Sequence, residues 1–529
     1  MRSCTNGRDE KDEESARVMV GRSHIMAIRS HIGEGSSRVP LAGCLVRAAT
    51  RLIRSATRLV RAATRLTGAA TGLVGLATLL ACAATLLTGC AGQARTMEVP
   101  VELPPAFSSE GTADLPARWW TAFEDAGLNA AVDSALSSNF DLKAAWERLR
   151  AAQAVADRQS AALWPQADAT AAGEIRRGSG DAEEVTLALS SFYEVDLWGR
   201  IRSSVDAERF RAEASLADYQ TAALSLSAEI ARTWYRLAEA TSQVALLDEQ
   251  VATNTNVLDL LQVRFQAGMI PGVDVLRQRQ LVEARREQRA DAVARLRVLE
   301  HQLAVLLGRA PQEATQDLSE APPDDLPELA PLPEPGIPIE LVRRRPDIRR
   351  AFYLLRGADR DLASAISSRY PRLTLSASAS SADGGAERLF ESWVLSVAGD
   401  VLAPIFYGGE LRAEADRAEA VRQELLYEYG QAVLIALQEV EDALIREEQQ
   451  AESNQHLENQ IASAVLTYEQ LQVQYLNGAA NYIDVLIALA ELQDLQRRLL
   501  TAELAVVEYR IALYRALAGS FETVPPPEP

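Results

Sequence analysis

Phe265-Gln266-Ala267-Gly268, followed by Asp274-Val275-Leu276, returns 210 residues later as Tyr475-Leu476-Asn477-Gly478, followed by Asp484-Val485-Leu486. In both places a long segment with apolar residues at helical spacing stops at a glycine and restarts behind an aspartate, the pattern of a helix that ends and reverses. Three further pairs keep the same order: Leu163-Trp164-Pro165 with Arg369-Tyr370-Pro371 at an offset of 206, Trp198-Gly199 with Tyr407-Gly408 at 209, and Leu307-Gly308 with Ala518-Gly519 at 211. A drift of five residues over four ordered pairs marks an internal duplication.

Each half reads as a helix, a pair of strands, then two long helices joined at the glycine. The arms 201–267 and 411–477 are both 67 residues, lack proline and are rich in Ala, Leu, Glu, Gln and Arg. A helix of that length reaches about 100 Å. Val244, Leu247, Val251, Leu258, Leu261 and Phe265 alternate at three and four, with Asn254 the polar exception; Leu457, Ile461, Ala464, Tyr468, Leu471 and Tyr475 repeat the series behind Asn454. This is coiled-coil spacing. The return arms, about 273–307 and 483–518, continue it.

Between the helices the period changes to two. Val185, Leu187, Leu189, Tyr193, Val195 and Leu197 alternate with Thr186, Ser190, Glu194 and Asp196; 373–380 and 393–401 behave alike, and a weaker strand lies near 167–175. Such alternation with aromatics near the ends suits a barrel strand between lipid and water. A soluble sandwich with one wet face would look similar. Four strands cannot close a barrel, and lipid tolerates no open edge, so a barrel reading requires several copies of the chain; three would supply twelve strands.

Ahead of this lies a leader. From Arg47 a seven-residue repeat runs RAATRLI, RSATRLV, RAATRLT and onward, arginine giving way to leucine; Gly68 to Thr88 is uncharged, and Leu87-Thr88-Gly89-Cys90 closes it. The run resembles the lipobox of bacterial lipoprotein signal peptides, which implies cleavage before an acylated Cys90. A 21-residue transmembrane helix is the alternative. Ala91 and Gly92 replace an acidic retention signal, which by resemblance to sorted lipoproteins directs the chain to the outer membrane.

The 529 residues are 48% hydrophobic and 24% charged, enough for a large core. Residues 1–89 hold 13 Lys and Arg against 6 Asp and Glu, leaving 41 against 67 after them, a balance of −26 that argues against nucleic acid as a partner. Cysteine ends at Cys90, so no internal disulfide supports the remainder. His301 and His456 are the only histidines beyond it and have no ligand companions nearby; no phosphate loop or nucleophile motif stands out, so neither catalytic site, metal nor cofactor is expected.

Leu341-Val342-Arg343-Arg344-Arg345-Pro346-Asp347-Ile348-Arg349-Arg350-Ala351, followed by Ser368-Arg369-Tyr370-Pro371, resembles a signature of the outer membrane efflux protein family, which includes TolC-like ducts and NodT-type lipoproteins of drug pumps. The resemblance covers about residues 110–520. By chemistry alone, these arginines read as solvated or paired scaffold groups at a helix whose first turn holds Pro346. The resemblance implies a mixed fold: a transmembrane β-barrel, four strands per chain and twelve in a homotrimer, continuous with a periplasmic α-helical coiled-coil barrel. It implies passive export of drugs or metal ions through a duct that docks on a periplasmic adaptor (membrane fusion) protein and an inner-membrane RND-type transporter. A type I secretion duct and a non-conducting envelope lipoprotein are the alternatives. The corresponding divisions are a leader (1–89), a lipidated linker (90–127), a first repeat (128–310), a Pro/acidic linker (311–338), a second repeat (339–520) and a tail (521–529).

By the same resemblance, Gly268 and Gly478 form adaptor-docking tips; a plain helix-helix turn is the alternative. Asp484 corresponds to an acidic constriction of TolC-like ducts, with Tyr475, Tyr482 and Ile487 completing a gate. Ile487 stands where the family often has a second acid. Asp484 equally suits the positive end of a helix, as Asp274 does in the first repeat.

Overall fold

A computed structural model describes residues 101–109, 111–178, 182–313, 326–384, 390–519 and 521. The leader and Cys90 lie outside the described residues. Helices α1 (Ala126–Ser138) and α2 (Phe140–Ser160) lead to strands β1 (Gln166–Arg176) and β2 (Ala182–Val195), then to α3 (Arg200–Gln266) and α4 (Gly272–Leu306). The second half repeats the series as α5 (Pro338–Arg344), α6 (Pro346–Ser367), β3 (Arg372–Asp383), β4 (Val394–Leu402), α7 (Glu410–Leu476) and α8 (Tyr482–Leu517). Among these helices none is long and apolar enough to cross a membrane.

The single helix expected before each strand pair is two helices, for a local reason each time. Asn139 is extended, its side chain accepts from Leu142 N (3.0 Å) and its amide donates to the Leu306 carbonyl (2.9 Å). Arg345 is extended because the following proline excludes the helical region for it, and Pro346 then opens α6 at a position where a missing N–H costs nothing. Both long helices are 67 residues, one residue earlier than the sequence suggests. Each starts behind a left-handed glycine, Gly199 (φ 76°) and Gly409 (φ 92°), a conformation that would strain other residues.

The sheet is antiparallel in the order β1-β2-β3-β4, and among the described residues the outer edges of β1 and β4 have no partner strand. β1 forms despite its alanine-rich sequence. β2 stops at Val195 rather than Leu197, because Asp196 turns to cap α3, accepting from Ile201 N (3.1 Å) and Arg202 N (2.9 Å). Pairing also corrects the repeat alignment. Gln166 faces Phe192 and Arg372 faces Leu402, so β1 relates to β3 by 206 but β2 to β4 by 210, the offset that also joins Gly199 to Gly409. Tyr407 therefore matches Leu197, not Trp198, whose ring stacks on Tyr370 (5.0 Å) while its Nε1 donates to the Pro371 carbonyl (2.7 Å). One face of the sheet carries Leu189, Leu375, Leu395, Val397 and Val401, all exposed, with Leu395 at 81% and Val397 at 84%.

Below the sheet the helices pack around two large cores, with a smaller third near the hairpin tips. One gathers Trp119, Trp120, Phe123, Trp234, Tyr235 and Tyr514, with Trp119 Nε1 donating to Ser227 Oγ (3.1 Å) and Trp234 Nε1 to Asp125 Oδ2 (2.8 Å). Each large ring removed from water is worth about 1.5–3 kcal/mol. The other gathers Leu341, Ile348, Leu355, Val433, Val440 and Leu513. The signature arginine Arg345 is buried there and paired, as expected: its guanidinium donates to Asp347 (2.6 Å), Glu439 (2.7 Å) and the Ala516 carbonyl (3.2 Å). Arg510 does similar work beside the inter-repeat linker, binding Glu447 (2.5 Å) and the Ala330 carbonyl (2.6 Å).

Candidate functional site

The two hairpin tips are built alike. In α3 the Gly268 N–H donates to Phe265 O (2.8 Å) and Met269 N–H to Arg264 O (2.9 Å); in α7 the Gly478 N–H donates to Tyr475 O (3.1 Å) and Ala479 N–H to Gln474 O (2.8 Å). This paired 5→2 and 6→1 closure satisfies the last carbonyls and requires positive φ, here 70° at Gly268 and 73° at Gly478. Both glycines are exposed, and a β-carbon added at either would meet nothing within 4 Å. Backbone conformation, not crowding, selects glycine at these positions.

Between the tips the hairpins pack through Leu258, Leu261, Val275, Val282, Tyr482 and Val485. The Tyr475 and Tyr482 rings lie 5.5 Å apart, and the Arg264 guanidinium sits 5.1 Å over the Tyr475 ring. Tyr482 is buried and its hydroxyl donates to Gln278 Oε1 (2.6 Å). Burial, then the neighbouring Tyr475, Tyr468 and Asp274, push the Tyr482 hydroxyl well above the usual phenol range, so it remains a neutral donor. Burial also raises Tyr475, against the opposing Arg264 charge.

Asp484 is half-buried in the first turn of α8, where it forms a capping box with Asn481: its Oδ2 accepts from Asn481 N (3.3 Å) while the asparagine side chain accepts in return from the helix. The helix-start role is thus present in the geometry. Asp274, its first-repeat equivalent, is instead buried against the other hairpin, with Arg277 3.7 Å away. Ile487, one turn beyond Asp484, is exposed. The structure brings Tyr475 and Tyr482 together beside Asp484, but places Gly268 and Gly478 on separate turns.

The seam above the tips is more polar than the heptad pattern suggests. Phe265, expected inside, is about half exposed, whereas Gln243, Gln250 and Asn254 are buried at heptad positions of α3. Asn254 donates to Gln493 Oε1 (3.0 Å), Gln278 to the Asn254 carbonyl (2.8 Å), and buried Arg285 to Gln493 Oε1 (3.0 Å). Burial, then Arg497, lowers the proton affinity of Arg285, and Asp494 at 3.1 Å opposes this. The clue was in the sequence: three amides spaced by seven and four among leucines. Buried amides that answer one another define one register between hairpins, as a polar heptad residue does in a coiled coil.

Among the described residues no group of three His, Cys, Asp or Glu could hold a metal ion, and His301 and His456 are exposed on helices. What the described residues present near the tips is a pair of exposed glycine turns and a packed tyrosine pair close in sequence to Asp484.

The model of the family described as outer membrane efflux protein matches residues 131–309 and 338–519. The pyoverdine export outer membrane protein OpmQ of Pseudomonas aeruginosa is 32% identical over 436 residues, 77% of this chain and 88% of that protein. The solvent efflux pump outer membrane protein SrpC of Pseudomonas putida is 28% identical, over 75% of this chain and 86% of its own. Among solved structures, the outer-membrane channel OprN superposes with a TM-score of 0.75 at 29% identity, covering 80% of this chain and 98% of that one. Repeated helical hairpins, the four-stranded sheet, the matched model and these relatives agree: the chain belongs to the outer membrane efflux protein family, whose members are channels of efflux pumps and not enzymes.

Proposed function

We propose that this chain is the exit duct of a tripartite pump, a homotrimer whose twelve strands cross the outer membrane and whose helices continue the passage into the periplasm. One observation carries the reading: a sheet with two open edges and an exposed apolar face, set on 67-residue helices, is stable in lipid only when further copies close it. The tips at Gly268 and Gly478 meet a periplasmic adaptor, which links the duct to an inner-membrane RND-type transporter. Transport through it is passive, and export of pyoverdine and solvents by relatives points to small molecules, such as drugs or metal ions, as cargo. Deleting the gene should raise cellular accumulation of such toxicants, and the wild-type chain should restore it; unchanged accumulation across a broad panel contradicts the assignment.

Residues 1–89 act as leader, 90–127 as linker, 128–310 and 339–520 as the repeats joined by 311–338, and 521–529 as tail. Cys90 is the acylated first mature residue, anchoring the chain to outer-membrane lipid. Labelled palmitate should enter the wild type, and Cys90→Ser should lose both the label and leader cleavage. An unlabelled mature wild-type protein would exclude lipidation. Because the barrel is itself held by lipid, the anchor assists targeting more than retention.

Asp484, Ile487, Tyr475 and Tyr482 form the gate, the three copies of Asp484 meeting as a ring. A carboxylate ring at a constriction favours cations and narrows the passage. Asp484→Ala is expected to increase single-channel conductance and reduce cation selectivity, while Asp274→Ala, at a buried position, changes both less. Loss of the capping box would cost only about 1 kcal/mol locally. Equal conductance and selectivity in Asp484→Ala and wild type would leave Asp484 as a helix cap alone.

A further inference from the structure

Strand register sorts the side chains of the sheet onto two faces of different character. Leu189, Leu375, Leu395, Val397 and Val401 share one of them. The other carries Asp168 and Thr170 of β1, Thr374 and Ser376 of β3, and Ser396 and Asp400 of β4. With the apolar face against lipid, this second face meets water. Phe192 of β2 breaks its pattern. Among the described residues it is the one aromatic side chain that the register places on the water-facing side of the four strands. It is about half exposed, and no other described ring stacks on it.

The fold does not require a ring there. Both hairpins run into a 67-residue helix behind a left-handed glycine, so an architectural ring would be needed in each half. The offset of 210 converts Phe192 to Leu402, and that of 206 converts Asp168 to Thr374. The second hairpin therefore has neither the ring nor the acid.

Beside Phe192, where the sheet meets the helices, lies a cavity of about 140 Å³ whose lining includes Trp164, Gln166, Phe192, Glu194 and Arg200. An apolar cavity of about 150 Å³ takes up benzene, so the space suits a single six-membered ring. Trp164, largely exposed, gives the wall a second aromatic surface. The charges within the wall cancel, since Arg200 donates twice to Glu194, at 2.8 Å each.

Uncancelled charge comes from Asp168. It stands two residues along β1 from Gln166, the direct partner of Phe192, and so lies diagonally across from the ring. Such neighbours are about 7–8 Å apart, a span that one elongated ligand covers. Asp168 is exposed and has no ion-pair partner among the described residues. The cation Arg372 lies four residues along β3 from Ser376, the other partner of Phe192, on the side away from Asp168.

We propose that this corner is a subsite for aromatic cations in transit, the ligand ring lying against Phe192 in the cavity and its positive nitrogen turned toward Asp168. The proposal rests on the reading of the chain as a channel and narrows its cargo to molecules that join an aromatic ring to an ammonium group. The face of an aromatic ring attracts cations, and a nearby carboxylate adds to that attraction while repelling anions. One exposed acid and one half-exposed ring bind weakly. A duct needs this, because cargo held tightly would stall.

Block of single-channel current in a planar bilayer tests the subsite. Benzyltrimethylammonium and tetramethylammonium carry the same charge, and only the first has a ring. Added to both baths, the first should block wild-type channels at about tenfold lower concentration, the effect of covering one ring. Phe192→Leu, which matches Leu402 at the counterpart position, should abolish this preference, and Phe192→Tyr should keep it. Asp168→Asn should weaken block by both cations and leave the preference for the ring in place. Equal block by the two cations in conducting wild-type channels, or an undiminished ring preference in Phe192→Leu, overturns the subsite and leaves the channel reading standing. Native oligomers that insert but pass no current end the channel reading, and the subsite with it.

Discussion

Gly478→Asp is expected to abolish export while leaving folded trimers in the outer membrane. The substitution places a residue with a β-carbon at φ 73°, which for aspartate costs roughly 1 kcal/mol, and it meets no neighbour within 4 Å. A domain with cores of this size absorbs that loss. What changes is the surface: a small exposed turn acquires a bulky negative charge where the adaptor is proposed to sit, and burying an unpaired charge at an interface is far more costly than the backbone strain. Toxicant accumulation should rise to the level of the gene deletion with SDS-resistant trimers unchanged. If trimers disappear as well, the glycine is architectural only. Gly268→Asp tests the other tip in the same way.

Arg345→Ala is expected to destabilise the folded chain by about 2 kcal/mol, less than for a fully buried pair. The guanidinium is buried, but the carboxylates it leaves, Asp347 and Glu439, are about one third exposed and partly screened by water. Arg345 binds Asp347 and Glu439; Arg515, 3.1 Å from Glu439, can rescue that acid but not Asp347. Burial disfavours the Asp347 charge, and Arg345 overcomes this, leaving the carboxyl below its ordinary range. A depressed carboxyl contributes stability above the unfolded value, near pH 3.9, and loses it as pH falls toward the folded one. The wild type should therefore lose part of its stability below about pH 4, and Arg345→Ala should lose less over the same interval. Denaturant unfolding across that range reads both effects; a variant as stable as wild type at neutral pH would show the cluster to be dispensable.

Much of this fold is legible in the sequence because long proline-free runs of strong helix formers leave few alternatives, and glycine at the tips marks where they reverse. The arms are misplaced by only one residue. β1 is faint because Ala167, Ala169, Ala171 and Ala172 blunt the contrast between its faces; pairing with β2 decides it. The one-residue error between repeats arises because Trp198-Gly199 resembles Tyr407-Gly408, whereas the ladder and the capping glycines align Gly199 with Gly409. Buried amides were harder to foresee. Gln243, Gln250 and Asn254 look like exposed helix residues until α4 and α8 supply their partners. At the candidate gate, Asp484 illustrates a deeper ambiguity: an aspartate in the first turn of a helix serves a cap and a pore ring equally well, so composition and spacing cannot separate the roles.

The central claim is that this chain forms a conducting passage. Purified wild-type protein, reconstituted in a planar bilayer, should produce discrete, cation-preferring conductance steps, and the Asp484→Ala protein larger, less selective ones. Native oligomers that insert yet pass no current, in the wild type and in Asp484→Ala alike, would contradict it.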